Sequence, residues 1–168
     1  MITWNHRKRE RLDGFAGFLI YAPGASVLDL GCHRGLVCYE FAAHGAAAVT
    51  GVDIEPSSVA FAERLFEDVE RCDAQFETNS IFVTPRLTMQ YYDFVLLLGV
   101  YHKLKRIATA GELDNLMATI AKATRRYFIF NGSAEDLLTV NRTFMPNFVQ
   151  VSFTKIRDQF NAVWERET

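Results

Sequence analysis

Three short stretches hold the residues whose types and spacing suit chemistry on a ligand. The first is Asp29-Leu-Gly-Cys-His-Arg-Gly35. Gly31 and Gly35 allow a tight turn and a close backbone approach, and a helix opening at Gly35 would offer free N–H groups to a ligand. The second is Asp53, 24 residues after Asp29, where an acid can accept both hydroxyls of a ribose. The third is Leu98-Gly-Val-Tyr-His102. There His102 has a side chain able to act as a general base, and Tyr101 offers an aromatic face to a cation. Read from Gly31, a G-x-G-x-x-G fingerprint fails at His33 and Leu36, and no Gly-Lys-Ser or Gly-Lys-Thr occurs. A ligand with a ribose but no phosphate fits better than a dinucleotide or a nucleoside triphosphate. No H-x-x-x-H, C-x-x-C or Ser-His-Asp pattern appears, so no metal ligand set is expected.

Such residues need elements to hold them, and the chain alternates short apolar runs with helical periodicity. Arg7 to Tyr21 reads as a helix, and Ala25 to Leu30 as a buried strand stopping at Gly31. Leu36 to His44 reads as a helix closed by Gly45, followed by a strand from Ala46 to Asp53. Pro56 starts a helix expected to run to Arg71, and Ala74 to Thr78 is a third strand. Phe94 to Leu98 is apolar on both faces, as a central parallel strand must be. A helix from Leu113 to Ala123 leads to a strand, Tyr127 to Phe130, and then to a helix from Ala134 to Val140. Val149, Val151 and Phe153, then Phe160, Ala162 and Trp164, alternate with other residues across a polar turn, as an antiparallel pair would. The expected fold is α/β: a doubly wound, seven-stranded, mostly parallel sheet with helices on both faces and a C-terminal antiparallel hairpin. The expected organisation is one domain over residues 1–168, with an N-terminal helix over 1–21 and the sheet over 25–168.

Val27-Leu-Asp-Leu-Gly-Cys-His-Arg-Gly35, Gly51-Val-Asp-Ile54 and Tyr92-Asp-Phe-Val-Leu-Leu-Leu98 together resemble the class I S-adenosylmethionine-dependent methyltransferases. The resemblance covers nearly the whole chain, including the closing strand pair. His33 stands where that family usually has the middle glycine of D-x-G-x-G-x-G. The resemblance implies S-adenosyl-L-methionine as cofactor. Asp29 and the backbone of Gly31 would hold its amino group, within a loop formed by Gly31, Cys32, His33 and Gly35. Asp53 would take the ribose hydroxyls, Ile54 would lie against the adenine, and Asn79, Ser80 and Ile81 would meet the adenine edge. Gly99 and Val100 would line the methionine side, with Tyr101 and His102 facing the methyl acceptor. The implied reaction is an in-line methyl transfer, which asks for alignment, exclusion of water and a nucleophile with a free lone pair.

With 18 basic and 20 acidic residues the net charge is −2. There is thus no overall positive field for a nucleic-acid backbone, although His6-Arg-Lys-Arg and Lys103-Leu-Lys-Arg106 are basic runs. The longest apolar stretch, Phe94 to Tyr101, is far short of the ~20 residues of a membrane helix. The N-terminal charges are followed by no apolar core, and three cysteines without metal spacing suit a reducing compartment. A cytoplasmic enzyme without membrane contact is expected. Its acceptor stays open between a small molecule and RNA, although no D-P-P-Y or N-P-P-Y follows the fourth strand. The competing expectation is a catalytically silent, cofactor-binding subunit that stabilises or activates a partner protein; assembly is left open between a protein partner and a homo-oligomer. A nicotinamide-dependent reductase is a third.

Overall fold

The computed structural model describes residues 12–144 and 146–168. Leu12 is helical, but residues 13–21 form a turn and a 3-10 helix, Ala16–Tyr21, rather than the second half of an α-helix. The remainder of the helix expected from Arg7, with the basic run His6-Arg-Lys-Arg, lies outside the described residues. Strand β1 (Ser26–Leu30) leads to α1 (Leu36–Ala43), and β2 (Ala48–Asp53) leads to α2 (Pro56–Leu65). Then come β3 (Asp73–Thr78), a single helical turn α3 (Arg86–Met89) and β4 (Tyr92–Leu98). Helices α4 (Tyr101–Ile107) and α5 (Ala110–Ala123) precede β5 (Thr124–Gly132). Helix α6 (Ala134–Phe144), β6 (Phe148–Ile156) and β7 (Gln159–Arg166) complete the chain.

The seven strands lie in the order β3-β2-β1-β4-β5-β7-β6. All pairings are parallel except β5 with β7 and β7 with β6. Strand order reverses between β1 and β4, and a crevice opens at such a point beyond the strands' carboxyl ends. Central strands are covered on both sides, so Val95, Leu96 and Leu97 in succession are fully buried. Their alternate side chains feed two cores. One holds Leu28, Val95, Phe128 and Trp164 with α4, α5 and α6; the other holds Phe15, Phe41, Phe94 and Tyr127. The fold is the expected seven-stranded α/β sheet with its antiparallel hairpin.

Local chemistry sets the element ends. Pro56 opens α2 with its fixed φ, and the side chain of Glu55 accepts from the N–H of Ser57. That helix stops at Leu65 instead of reaching Arg71, because Glu67, Asp68 and Glu70 would put negative charge at its negative dipole end. Thr109 and Glu112 form a reciprocal capping box at the start of α5. Helix α4 has no counterpart in the expected elements, since seven residues are too few for a periodic signal. It forms because Tyr101 and Leu104, three apart, both reach the core. Asp93 is structural: its Oδ2 accepts from the N–H and hydroxyl of Ser26 at 2.8 and 2.9 Å, locking β4 onto β1. In the hairpin, the register between β6 and β7 shifts between Gln150 and Ser152. Phe148 is buried, whereas Val149, Val151 and Phe153, the apolar set of the expected alternation, stay exposed on the outermost strand.

Candidate functional site

The site forms where β1, β2 and β4 end together. Beyond Leu30 the chain folds back onto β2, with the N–H of Gly31 donating to the carbonyl of Val52 at 2.7 Å. Gly31 has φ +82°. A Cβ there would come within 2.4 Å of Cγ2 of Val100, so only glycine lets this loop pass the turn after β4. His33 also takes a left-handed conformation, φ +50°, which a non-glycine residue adopts at a cost of ~1 kcal/mol. The position thus keeps the backbone shape that glycine would give. Its N–H donates to Oδ2 of Asp53 at 2.7 Å, while the N–H of Glu55 donates to Oδ1 at 3.0 Å. Two backbone donors fix the carboxylate, and each oxygen retains a lone pair for a further hydroxyl donor.

These groups border a cavity of about 340 Å³, within the size range of small-ligand sites. One wall is polar, with His33, Asp53, Glu55 and Ser58; another is apolar, with Ile54, Ile81, Phe82 and Leu104. Ile54 and Ile107 are 73% and 74% exposed, so the apolar wall continues to solvent. Gly99 and Val100 close the floor. Asn79 and Ser80 reach the lining from the end of β3, where the N–H of Asn79 donates to the carbonyl of Asp53 at 3.0 Å. The amide of Asn79 also ties back to Glu77. Burial favours the neutral form of Glu77, but bonds from Asn79, Arg86 and Thr84 outweigh it and hold the carboxyl below its usual range.

Nine of the residues singled out in the sequence line this cavity: Gly31, His33, Asp53, Ile54, Asn79, Ser80, Ile81, Gly99 and Val100. Asp29, Cys32 and Gly35 do not. They stand behind the loop, where Asp29 accepts from the thiol of Cys38 at 3.7 Å and a Cβ on Gly35 would press against Ala62. Burial, with Asp29 and Asp53 nearby, pushes the Cys32 thiol far up, so it stays protonated and inert. The expectation that Tyr101 faces the acceptor is corrected. It is 2% exposed and its ring packs edge-on against Phe130 at 5.5 Å, because α4 turns that side chain to the core. Burial also raises its phenol above the ordinary value. His102 is half-buried on α4 and off the lining. In its place the helix contributes Lys103, Leu104 and Ile107, which sequence reasoning missed. Ile107 stands three residues after Leu104 and four after Lys103, spacings that form a common face only once the stretch is known to be helical.

A single feature of this geometry tests the implied cofactor. Asp53 is held with acceptor capacity to spare at the rim of an apolar slot, and the loop above it has no side chain at Gly31 to block approach. S-adenosylmethionine, with a ribose diol, a flat base and no phosphate, fits that donor and acceptor set. Among the described residues no group of three or more His, Cys, Asp or Glu could hold a metal ion, and no described helix is long and apolar enough to cross a membrane.

Comparison with known proteins agrees with this reading of the fold. Residues 27–126 match the family model described as a methyltransferase domain. Among curated proteins none matches the chain. Magnesium protoporphyrin IX methyltransferase from Synechocystis PCC 6803, crystallised with bound S-adenosylmethionine, superposes with a TM-score of 0.72 at 19% identity, over 99% of this chain and 86% of that one. The N-methyltransferase NodS from Bradyrhizobium japonicum WM9, in complex with S-adenosylhomocysteine, gives 0.77 at 14% identity, over 98% and 89%. The PH0226 protein from Pyrococcus horikoshii OT3 gives 0.70 at 15% identity, over 97% and 92%. At these identities the likeness is one of fold, while the family match spans more than half of the sequence. The chain belongs to the methyltransferase-domain family, of the class I S-adenosylmethionine-dependent type.

Proposed function

We propose that this chain is an S-adenosylmethionine-dependent methyltransferase that uses the cavity at the ends of β1, β2 and β4. The observation that carries the reading is the carboxylate of Asp53, fixed by the N–H groups of His33 and Glu55 at the mouth of that cavity. When bound, the cofactor supplies a methyl group activated by its positively charged sulfur. Asp53 would accept the two ribose hydroxyls. Ile54, Ile81 and Phe82 would cover the adenine faces, with Ser80 at its edge, and the backbone of Gly31 would receive the amino end. Gly99 and Val100 would leave the methionine chain room to pass toward β5. Asp29 and Cys32 support the loop from behind, and His102, off the lining, is assigned no proton transfer. The soluble, cytoplasmic setting remains part of this proposal.

Titration calorimetry tests the reading. S-adenosylmethionine and S-adenosylhomocysteine are expected to bind in the micromolar range, NAD not at all, and Asp53→Ala is expected to abolish the heat. Binding of NAD in preference to both would overturn it. The second reading, a subunit that binds the cofactor and transfers nothing, draws support from the apolar row Val149, Val151 and Phe153 left exposed on β6. It predicts full cofactor binding without S-adenosylhomocysteine release against any acceptor until a partner protein is added.

A further inference from the structure

Next to the cavity floor, on the strand beside β4, three polar groups are linked in a chain whose direction is fixed. Asn161 on β7 is buried, 1% exposed, and its Nδ2 donates to the backbone carbonyl of Asp13. A carbonyl has no proton to give, so this amide has one allowed orientation, and its Oδ1 must face Asn131 on β5. Asn131 must then present its own NH2 group. Its Nδ2 donates to Oδ1 of Asn161 at 2.7 Å and to the carbonyl of Phe160 at 3.4 Å, which uses both protons. Its Oδ1 is thereby turned away from β7. That oxygen accepts no hydrogen bond from any described residue, and it lies 3.6 Å from the point a Cβ on Gly99 would occupy. Leu98 and Asn131 are register partners across β4 and β5, and Gly99 has φ +67° with no other neighbouring side chain within 4 Å of that point. A fixed, unused acceptor therefore stands at the end of β5 where the cavity floor gives out.

From this chain of amides we infer that Oδ1 of Asn131 holds the methyl acceptor, and that the acceptor nucleophile is a neutral amine donating one N–H to it. The inference rests on the cofactor reading above. The chemistry of the position narrows the class. A carbonyl oxygen can accept a hydrogen bond but repels a carboxylate or a thiolate. It cannot remove a proton, so a hydroxyl held there would remain a weak nucleophile. A neutral amine needs neither service. With one N–H given to Asn131, its lone pair is left to form the new N–C bond as the methyl carbon's bond to sulfur breaks. The electron pair of that bond stays on sulfur, the positive charge passes to nitrogen, and the nitrogen then loses a proton to water.

The test compares two ligands on the full chain. S-adenosylhomocysteine presents nothing at the transfer position, whereas sinefungin carries an amine there on a carbon that replaces the methylated sulfur. Dissociation constants for both are measured calorimetrically on the unaltered protein and on Asn131→Ala. A hydrogen bond from a charged donor makes Asn131→Ala lose sinefungin affinity by about tenfold or more, with S-adenosylhomocysteine held within about twofold by the same constants. Equal loss of both ligands in Asn131→Ala, or no loss of sinefungin affinity, would overturn the inference alone. Failure of the unaltered chain to bind S-adenosylhomocysteine would overturn the cofactor reading and this inference with it.

Discussion

His33 carries a β-carbon through a conformation that glycine adopts freely, and it does so while giving its N–H to Asp53. Replacing it with glycine relieves left-handed strain of ~1 kcal/mol but adds a comparable unfolded-state entropy. His33→Gly is therefore expected to leave stability within ~1 kcal/mol and to keep cofactor binding, since the backbone donor survives; denaturant unfolding and calorimetry read both. Gly31 is the opposite case. Gly31→Ala places a Cβ against Val100 at an already positive φ, at an expected cost of ~2–4 kcal/mol. Gly31→Ala with Val100→Ala should recover the part owed to the clash and not the part owed to φ. Full recovery in urea unfolding would show that φ at Gly31 carries no strain.

At the scale of elements, the start of α6 is fixed by a pair of reciprocal bonds, Ser133 N–H to Asp136 and Asp136 N–H to the hydroxyl of Ser133. Asp136 also meets Lys105 of α4, which joins the two helices across the core edge. Burial alone would raise the Asp136 carboxyl, yet the bonds from Lys105 and Ser133 win and hold it below the usual range. A carboxyl whose folded value is depressed contributes stability above its unfolded value, near pH ~4, and loses it as pH falls through the folded value. Melting temperatures measured from pH 7 downward should thus show a destabilising effect of Asp136→Asn at neutral pH that narrows below about pH 4. An effect of the same size at pH 3 would assign the loss to packing rather than to charge.

Across the whole molecule, the closing hairpin is what completes the sheet. Trp164 on β7 is fully buried against Phe128 and Phe130, and its Nε1 donates to Asn141 of α6 at 3.0 Å. Trp164→Ala is expected to cost ~3–5 kcal/mol, seen as a lowered denaturant midpoint, and to loosen the Asn131–Asn161 contact on the same pair of strands. Sinefungin affinity should then fall further than that of S-adenosylhomocysteine. On the opposite side of the hairpin, β6 leaves Val149, Val151 and Phe153 exposed, an edge of the kind that invites pairing with another chain.

Much of this protein was legible in its residues because the relevant physics is local. Glycines at a tight turn, an acid closing a strand and an apolar run covered on both faces each leave a signature in a few consecutive positions. Those signatures predicted the sheet, the loop after β1 and Asp53. The short helix α4 left none, so Lys103, Leu104 and Ile107 were missed and Tyr101 was expected on the wrong side of it. The exposure of Val149, Val151 and Phe153 on β6 was equally hidden, since alternation reports two faces but not which of them another layer covers. Asn131 shows the limit most plainly. One asparagine at the end of a strand carries no signal, and its role follows from the carbonyls of Asp13 and Phe160 and from Asn161, brought to it from 29 to 118 residues away along the chain. Sequence alone determined the sheet and most of the residues that the loop after β1, Asp53 and the turn after β4 bring to the cavity, because those rest on neighbours in the chain. Only the tertiary structure decided which way the Asn131 amide points, because there a hydrogen bond's direction is set by partners that folding alone brings together.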